Sequence, residues 1–133
     1  MLRVARGMRR LGIEFEEVID SGFVRARQTS ECICKAYEID PSAIRTLDEL
    51  APEAEPEATL AALKKLRVAV NVALVGHEPH LSKLAGYLVC GGADGQMDFK
   101  KAGVCRVDLA RWAEGEGILA ALLPPKALRR LGK

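Results

Sequence analysis

The segment that most restricts the fold is Val68–Val75. It is apolar throughout except at Asn71, and β-branched residues and alanine dominate it. A run of that length and make-up fits a strand buried on both faces, as in a parallel sheet covered by helices. Gly76-His77-Glu78-Pro79 comes directly after it, and Leu81–Val89 then has helical spacing. The unit is therefore strand, turn, helix. In open parallel sheets the crevice beyond the carboxyl ends of the strands is where ligands bind.

The rest of the chain repeats the alternation. Leu2, Ala5, Met8 and Leu11 recur at near-helical spacing, with Arg3, Arg6, Arg9 and Arg10 between them, and Gly12 ends that helix. Glu14–Asp20 reads as a short strand, and Ser21-Gly22 as a turn in which Asp20 or Ser21 helps cap the next helix. That helix is predicted over Arg25–Tyr37, with Ala26, Thr29, Ile33 and Ala36 on one stripe. Ile44–Leu50 reads as extended or irregular and Pro52–Pro56 as a loop. Glu57–Leu66 is predicted helical, with Leu60, Leu63 and Leu66 inward. Gly91–Gly95 is predicted to be a loop. Gly103–Leu109 and Ile118–Leu123 read as strands joined through Glu114-Gly115-Glu116-Gly117. Lys126–Leu131 is a short terminal helix. Alternating elements without repeats or an internal boundary imply one α/β domain over 1–133.

Composition narrows the function classes. Twenty Lys+Arg against 18 Asp+Glu give a formal net charge of +2, too little for the basic field of a nucleic-acid binder. No apolar run is long enough to span a bilayer and the first residues lack a signal-peptide core, so no membrane partner is expected and the expected compartment is the cytoplasm. Cys32, Cys34, Cys90 and Cys105 lack zinc-type spacing and read as reduced, largely buried thiols, so no metal is expected.

Two strand-end segments carry candidate chemistry, Ser21–Arg25 and Gly76–Pro79. Arg25 offers a planar, permanently charged fork for two phosphate oxygens. His77 can hydrogen-bond an oxyanion and stabilise charge during phosphoryl transfer. The bland alternatives are a solvated arginine and a histidine satisfied by backbone; residue pattern alone leaves both open.

Longer stretches make the resemblance specific. Asp20-Ser21-Gly22-Phe23-Val24-Arg25-Ala26-Arg27-Gln28-Thr29 and Leu74-Val75-Gly76-His77-Glu78-Pro79 resemble two motifs of the SixA-like phosphohistidine phosphatases. These form part of the histidine phosphatase, or phosphoglycerate mutase-like, superfamily. Asp48–Pro52, Phe99–Val104 and Leu122–Leu128 resemble three further stretches, in the same order. The resemblance implies a three-layer α/β/α phosphoglycerate mutase-like fold with a mostly parallel sheet. It implies phosphate-binding roles for Arg25 and His77, with His77 in the catalytic pocket. Ser21 either caps the helix or also bonds phosphate, and Glu49 lies where several relatives place a general acid. Gly22 replaces the family's usual proline and should loosen the turn. Lys100 and Lys101 read as a solvated pair that can widen a positive rim.

The family's Arg-His-Gly motif, whose histidine takes the phosphoryl group, does not occur in this sequence. His77 and His80 are its two histidines. His80 is expected to be an exposed helix residue pointing away from the pocket. Leu2–Leu11 matches the helix that normally follows the first strand, so the family's first strand is expected to be lacking. A mis-assigned start, a fragment, and a degenerate relative each explain this; the first fits best, since everything downstream matches. The implied activity is metal- and cofactor-independent removal of phosphate from a phosphohistidine-bearing signalling protein through a phosphohistidine enzyme intermediate, with small phosphoesters as an alternative substrate class. As written, the chain is expected to turn over negligibly. The alternatives are a non-catalytic phosphate- or phosphoprotein-binding module and a vestigial fragment. Unpaired strand edges make self-association plausible.

Overall fold

The computed structural model describes residues 1–91 and 103–133. The stretches expected as a loop beyond Gly91 and as an approach to a late strand, with Lys100 and Lys101, lie largely outside the described residues.

Among the described residues, five helices and five strands follow one another as α1 (Leu2–Arg10), β1 (Glu17–Asp20), α2 (Val24–Tyr37), β2 (Arg45–Thr46), α3 (Pro56–Leu66), β3 (Val72–Val75), α4 (His80–Cys90), β4 (Val104–Leu109), β5 (Gly117–Leu123) and α5 (Pro125–Leu131). Single 3-10 turns at Pro41–Ala43 and Asp48–Leu50 flank β2. The expected α/β alternation is present. β2 is the element that the sequence did not resolve, being two residues within the stretch read as extended or irregular.

β1 is the middle of a three-stranded parallel sheet ordered β2-β1-β3. Register levels one edge of this sheet: Asp20 lies opposite both Thr46 and Val75. The three strands therefore end level, and Ser21, Leu47 and Gly76 leave the sheet side by side. β4 and β5 form a separate antiparallel pair with an irregularity between Arg106 and Val107.

Strand alternation sorts the core into two layers. Val18 and Val75 pack with Ala5, Ala26 and Ile33 of α1 and α2 on one face. Ile19 packs with Leu63 of α3 and with Leu47 and Leu50 on the other. Leu60 of α3 and Leu84 and Leu88 of α4 extend that second layer to Val107 and Leu109 of β4. Val4 and Met8 of α1 with Leu128 of α5 extend the first layer to Val104 and Leu123. The same two helical layers thus cover both sheets, giving three layers.

Two strand expectations were too long. The run from Val68 begins pairing with β1 only at Val72, and Val70 is 96% exposed. Before Glu17, the backbone N–H of Glu16 donates to the Asn71 carbonyl and its carboxylate accepts from Asn71, so this stretch approaches the sheet without joining it. Leu11, expected on the apolar stripe of α1, is 48% exposed, because the helix ends at Arg10 and Gly12 turns the chain away at φ +77°. Gly7 sits inside α1 where a Cβ would meet the Leu128 carbonyl, so the α1–α5 contact requires glycine there.

Candidate anion site at the strand ends

Ser21 leaves β1 and His77 leaves β3, and the level strand ends bring them together. Ser21 Oγ lies 2.7 Å from His77 Nε2. The same hydroxyl accepts from the Phe23 N–H at 3.3 Å, while Asp20 Oδ1 accepts from the Gly22 N–H at 2.9 Å. The expected capping by Asp20 and Ser21 therefore takes the form of two local turns before α2. The helix's own N-cap position, Phe23, makes no side-chain cap bond. Beyond it, the N–H groups of the first turn of α2 face the same edge without helical acceptors.

Gly22 adopts φ +83°, and a Cβ there would lie 2.8 Å from Thr46 Cγ2. The expected loosening is not what the structure has. The turn is tight and positive-φ, and proline, fixed near −65°, does not fit it. Gly76 is similarly constrained: a Cβ would lie 3.3 Å from both the Leu50 carbonyl and Leu81 Cδ2. The Asp48–Leu50 turn is thereby pressed against the start of the His77 turn, whose Glu78–Pro79 peptide is cis. Ser82 donates to the Glu78 carboxylate across the first turn of α4.

Charge is distributed unevenly at this edge. Asp20 is fully buried and pairs with Arg27, whose Nε lies 2.9 Å from Oδ2. That Nε–H is not aimed at the oxygen, so Oδ2 has an ion-pair partner but no aligned hydrogen bond. Arg27 also reaches Oδ1 at 3.3 Å and Thr46 Oγ1 at 2.8 Å. Because Arg27 neutralises Asp20, Arg25 is left without a counter-charge. It is exposed in the first turn of α2 and has no ion pair or hydrogen bond among the described residues. It forms no hydrogen bond with His77 or Ser21 among the described residues. Glu49 stands half-buried in the Asp48–Leu50 turn, and its carboxylate has no partner among the described residues.

Phe23 is a site residue that the sequence reading missed. Its ring centroid is 4.9 Å from that of His77, tilted by 59°, and it is 48% exposed. An aromatic between Ser21 and Arg25 was the available signal.

His80 is corrected outright. It is fully buried, not exposed, and points toward α3, where Nε2 lies 2.8 Å from Thr59 Oγ1. Thr59 Oγ1 also lies 2.6 Å from the Glu49 carbonyl and 3.2 Å from the Glu55 carbonyl. The single hydroxyl proton goes to a carbonyl, so His80 Nε2–H donates to the oxygen. Nδ1 is then a bare acceptor without a partner. Burial, with His77 adding to it, pushes the His80 pKa below 6.5. This histidine is a neutral structural group that ties α4 to α3 and to the Glu49 turn.

The four cysteines are free, with Cys34 buried, Cys32 and Cys105 half-buried and Cys90 exposed. The described residues contain no cluster of metal-ligating type, and no helix among them is long and apolar enough to cross a membrane.

No family model matches the chain. An uncharacterized protein of Picosynechococcus sp. is 36% identical over 103 residues, which cover 76% of this chain and 61% of that protein. The matched region thus spans about three fifths of the relative's length. The structure of the protein histidine phosphatase SixA complexed with tungstate matches at a TM-score of 0.74 and 28% identity, over 96% of this chain and 80% of that one. The chain has a SixA-like histidine phosphatase fold.

Proposed function

We propose that the Ser21–His77 edge, with Arg25 above it, is an oxyanion site of phosphohistidine-phosphatase type that receives the phosphoryl group of a phosphohistidine-bearing protein. The observation that carries the reading is the 2.7 Å approach of Ser21 Oγ to His77 Nε2 where two parallel strands end level. The imidazole there donates Nε2–H to a phosphoryl oxygen once the serine hydroxyl yields it. The unpaired Arg25 guanidinium supplies the counter-charge from the first helical turn, reaching the anion by a rotamer change. Phe23 holds the imidazole from the side. Glu49, half-buried in the Asp48–Leu50 turn, is the proton donor to the leaving group in this reading.

In a SixA-like reaction a histidine nucleophile attacks the phosphorus in line, the leaving group departs with a proton, and water then hydrolyses the phosphohistidine. His77 is the binding and polarising histidine in that scheme. His80 is buried and occupied by Thr59. With both histidines of the sequence assigned, the 133 residues carry the binding half of the chemistry and not the attacking group. That favours a second reading for the chain as it stands, a phosphate- or phosphoprotein-binding module with negligible turnover.

Calorimetric titration with tungstate, the anion found with SixA, tests the site. Saturable one-to-one binding is expected, weakened at least tenfold by Arg25→Ala and by His77→Ala. Unchanged affinity in His77→Ala refutes the assignment. Incubation with a phosphohistidine protein separates the two readings: release of phosphate over many turnovers per chain overturns the module, and binding without release supports it.

A further inference from the structure

The formal net charge of +2 conceals a segregated distribution. Residues 1–13 and 124–133, which contain α1 and α5, hold eight of the 20 Lys+Arg and none of the 18 Asp+Glu. The rest of the chain holds 12 Lys+Arg against 18 Asp+Glu, a net −6. The fold gathers the eight cations on one face. α1 and α5 cross in backbone contact: a Cβ at Gly7 would strike the Leu128 carbonyl, and one at Gly132 the Arg3 carbonyl. Val4, Met8 and Leu128 are buried in the crossing. The four arginines of α1 stand exposed around it, with Lys126, Arg129, Arg130 and Lys133. Arg9 pairs with Glu38 at 3.5 Å. Arg3, Arg6, Lys126, Arg129 and Arg130 have no ion pair or hydrogen bond among the described residues. Like charges held this close repel, and an anionic surface laid over them removes that cost.

Apolar groups stand at the same corner. Arg10 donates to the Leu131 and Lys133 carbonyls, which ties the end of α1 to the end of α5. Leu11 and Leu131, at those two ends, are 48% and 41% exposed. A single exposed leucine is ordinary. Two beside a cluster of cations make the mixed basic and apolar face of a protein that lies on a membrane surface. A nucleic-acid face is built differently: aromatic rings stack on bases, and Asn or Gln read base edges. α1 and α5 contain no aromatic residue and no Asn, Gln, Ser or Thr.

From this arrangement we infer that the α1–α5 face is a peripheral docking surface for an anionic phospholipid bilayer, with the cations against the headgroups and Leu11 and Leu131 entering the interface. Such contact needs no spanning helix, so the lack of a spanning run does not bear on it. The face is distinct from the anion site. Arg9 donates to the Ala36 carbonyl in the last turn of α2, whereas Arg25 lies in the first turn. At 1.5 Å per residue the two turns are about 16 Å apart along the helix. The Arg9–Arg10 corner thus stands at the far end of α2 from the Ser21–His77 edge.

The test is co-sedimentation of the 133-residue chain with mixed phosphatidylcholine–phosphatidylglycerol vesicles, against pure phosphatidylcholine. Binding to the anionic vesicles is expected to be at least tenfold tighter, with the advantage falling as salt rises. Each cation at an anionic surface is worth about fivefold, so Arg6→Glu with Arg129→Glu should weaken binding at least about twentyfold. Lys64→Glu with Lys65→Glu changes the net charge equally, but on α3 in the other helical layer, and should leave binding within about twofold. Arg25→Ala, which weakens tungstate binding, should also leave it within about twofold. Leu11→Ser with Leu131→Ser should weaken it at least about fivefold, which a purely ionic contact does not predict. All these positions are exposed, so the variants are expected to fold, and the lipid and salt comparisons on the unaltered chain need no variant. Equal binding to both kinds of vesicle, an equal loss in the α3 variant, or no loss in the leucine variant overturns the inference. So does tighter binding of duplex RNA or DNA than of anionic vesicles at the same salt, since a nucleic acid is then the occupant. A salt-sensitive oligomer of the chain that the vesicles fail to dissociate overturns it as well.

Discussion

Thr59 joins α3 to the Glu49 turn and to His80 of α4, and Thr59→Val isolates its hydroxyl. The substitution keeps the shape and adds one apolar group in place of an oxygen. It leaves the Glu49 carbonyl without its 2.6 Å donor and His80 Nε2–H without its 2.8 Å acceptor. His80 then has neither ring nitrogen satisfied, since Nδ1 already lacks a partner. Each buried group so orphaned costs about 1–3 kcal/mol. The added methyl returns at most about 0.8 kcal/mol. Thr59 and His80 are fully buried, whereas Glu49 is half-buried and its carbonyl can recruit water. The expected net loss is about 2–3 kcal/mol, a large part of the roughly 5–15 kcal/mol typical of a domain. Urea denaturation should show it as a midpoint lower by about 0.7–3 M, for a slope of about 1–3 kcal/mol per molar. Thr59→Ser restores the hydroxyl and should recover most of the loss. The reasoning is refuted if Thr59→Val unfolds within about 0.5 kcal/mol of the parent, or if Thr59→Ser is equally damaging.

Two further outcomes are expected at the same edge. The unfolded chain binds a proton at His80 near pH 6.5, whereas the folded chain, with its depressed pKa, refuses it. Stability attributable to His80 is therefore complete above about pH 6.5 and declines as pH falls below it, until the folded pKa is passed. Chemical denaturation between about pH 7.5 and 5.5 should show this slope, and His80→Leu should flatten it. Gly22→Pro installs the family's usual residue, yet it is expected to destabilise by about 2 kcal/mol or more, measured by the same denaturation, because φ +83° is inaccessible and the N–H to Asp20 is lost.

The alternation of elements was legible because long apolar periods are local properties. The strand before Gly76, the helices bearing Ile33 and Leu63, and the turn at Gly12 all arise from runs of neighbouring residues. The strand-end pairing of Ser21 with His77 was also accessible, since two strand–turn–helix units in one parallel sheet present their turns at the same edge. The failures were non-local. His80 follows a proline in a polar turn and reads as solvent-facing; its burial against α3, where it meets Thr59 21 residues earlier, is a tertiary contact. The preference of Arg27 for Asp20, which frees Arg25, depends on a turn geometry that spacing does not encode. β2 escaped notice because two residues carry no period. The strand from Val68 was overextended because apolar composition marks what can be buried, while pairing with β1 decides what is.

The most direct measurement is a crystal structure of the chain with tungstate, located by the anomalous signal of the metal. The account predicts the anion within hydrogen-bond distance of His77 Nε2, displacing its contact with Ser21 Oγ, and with the Arg25 guanidinium turned in to meet it. Tungstate seated on the exposed arginines of α1 or α5, with the Ser21–His77 contact intact, would contradict it.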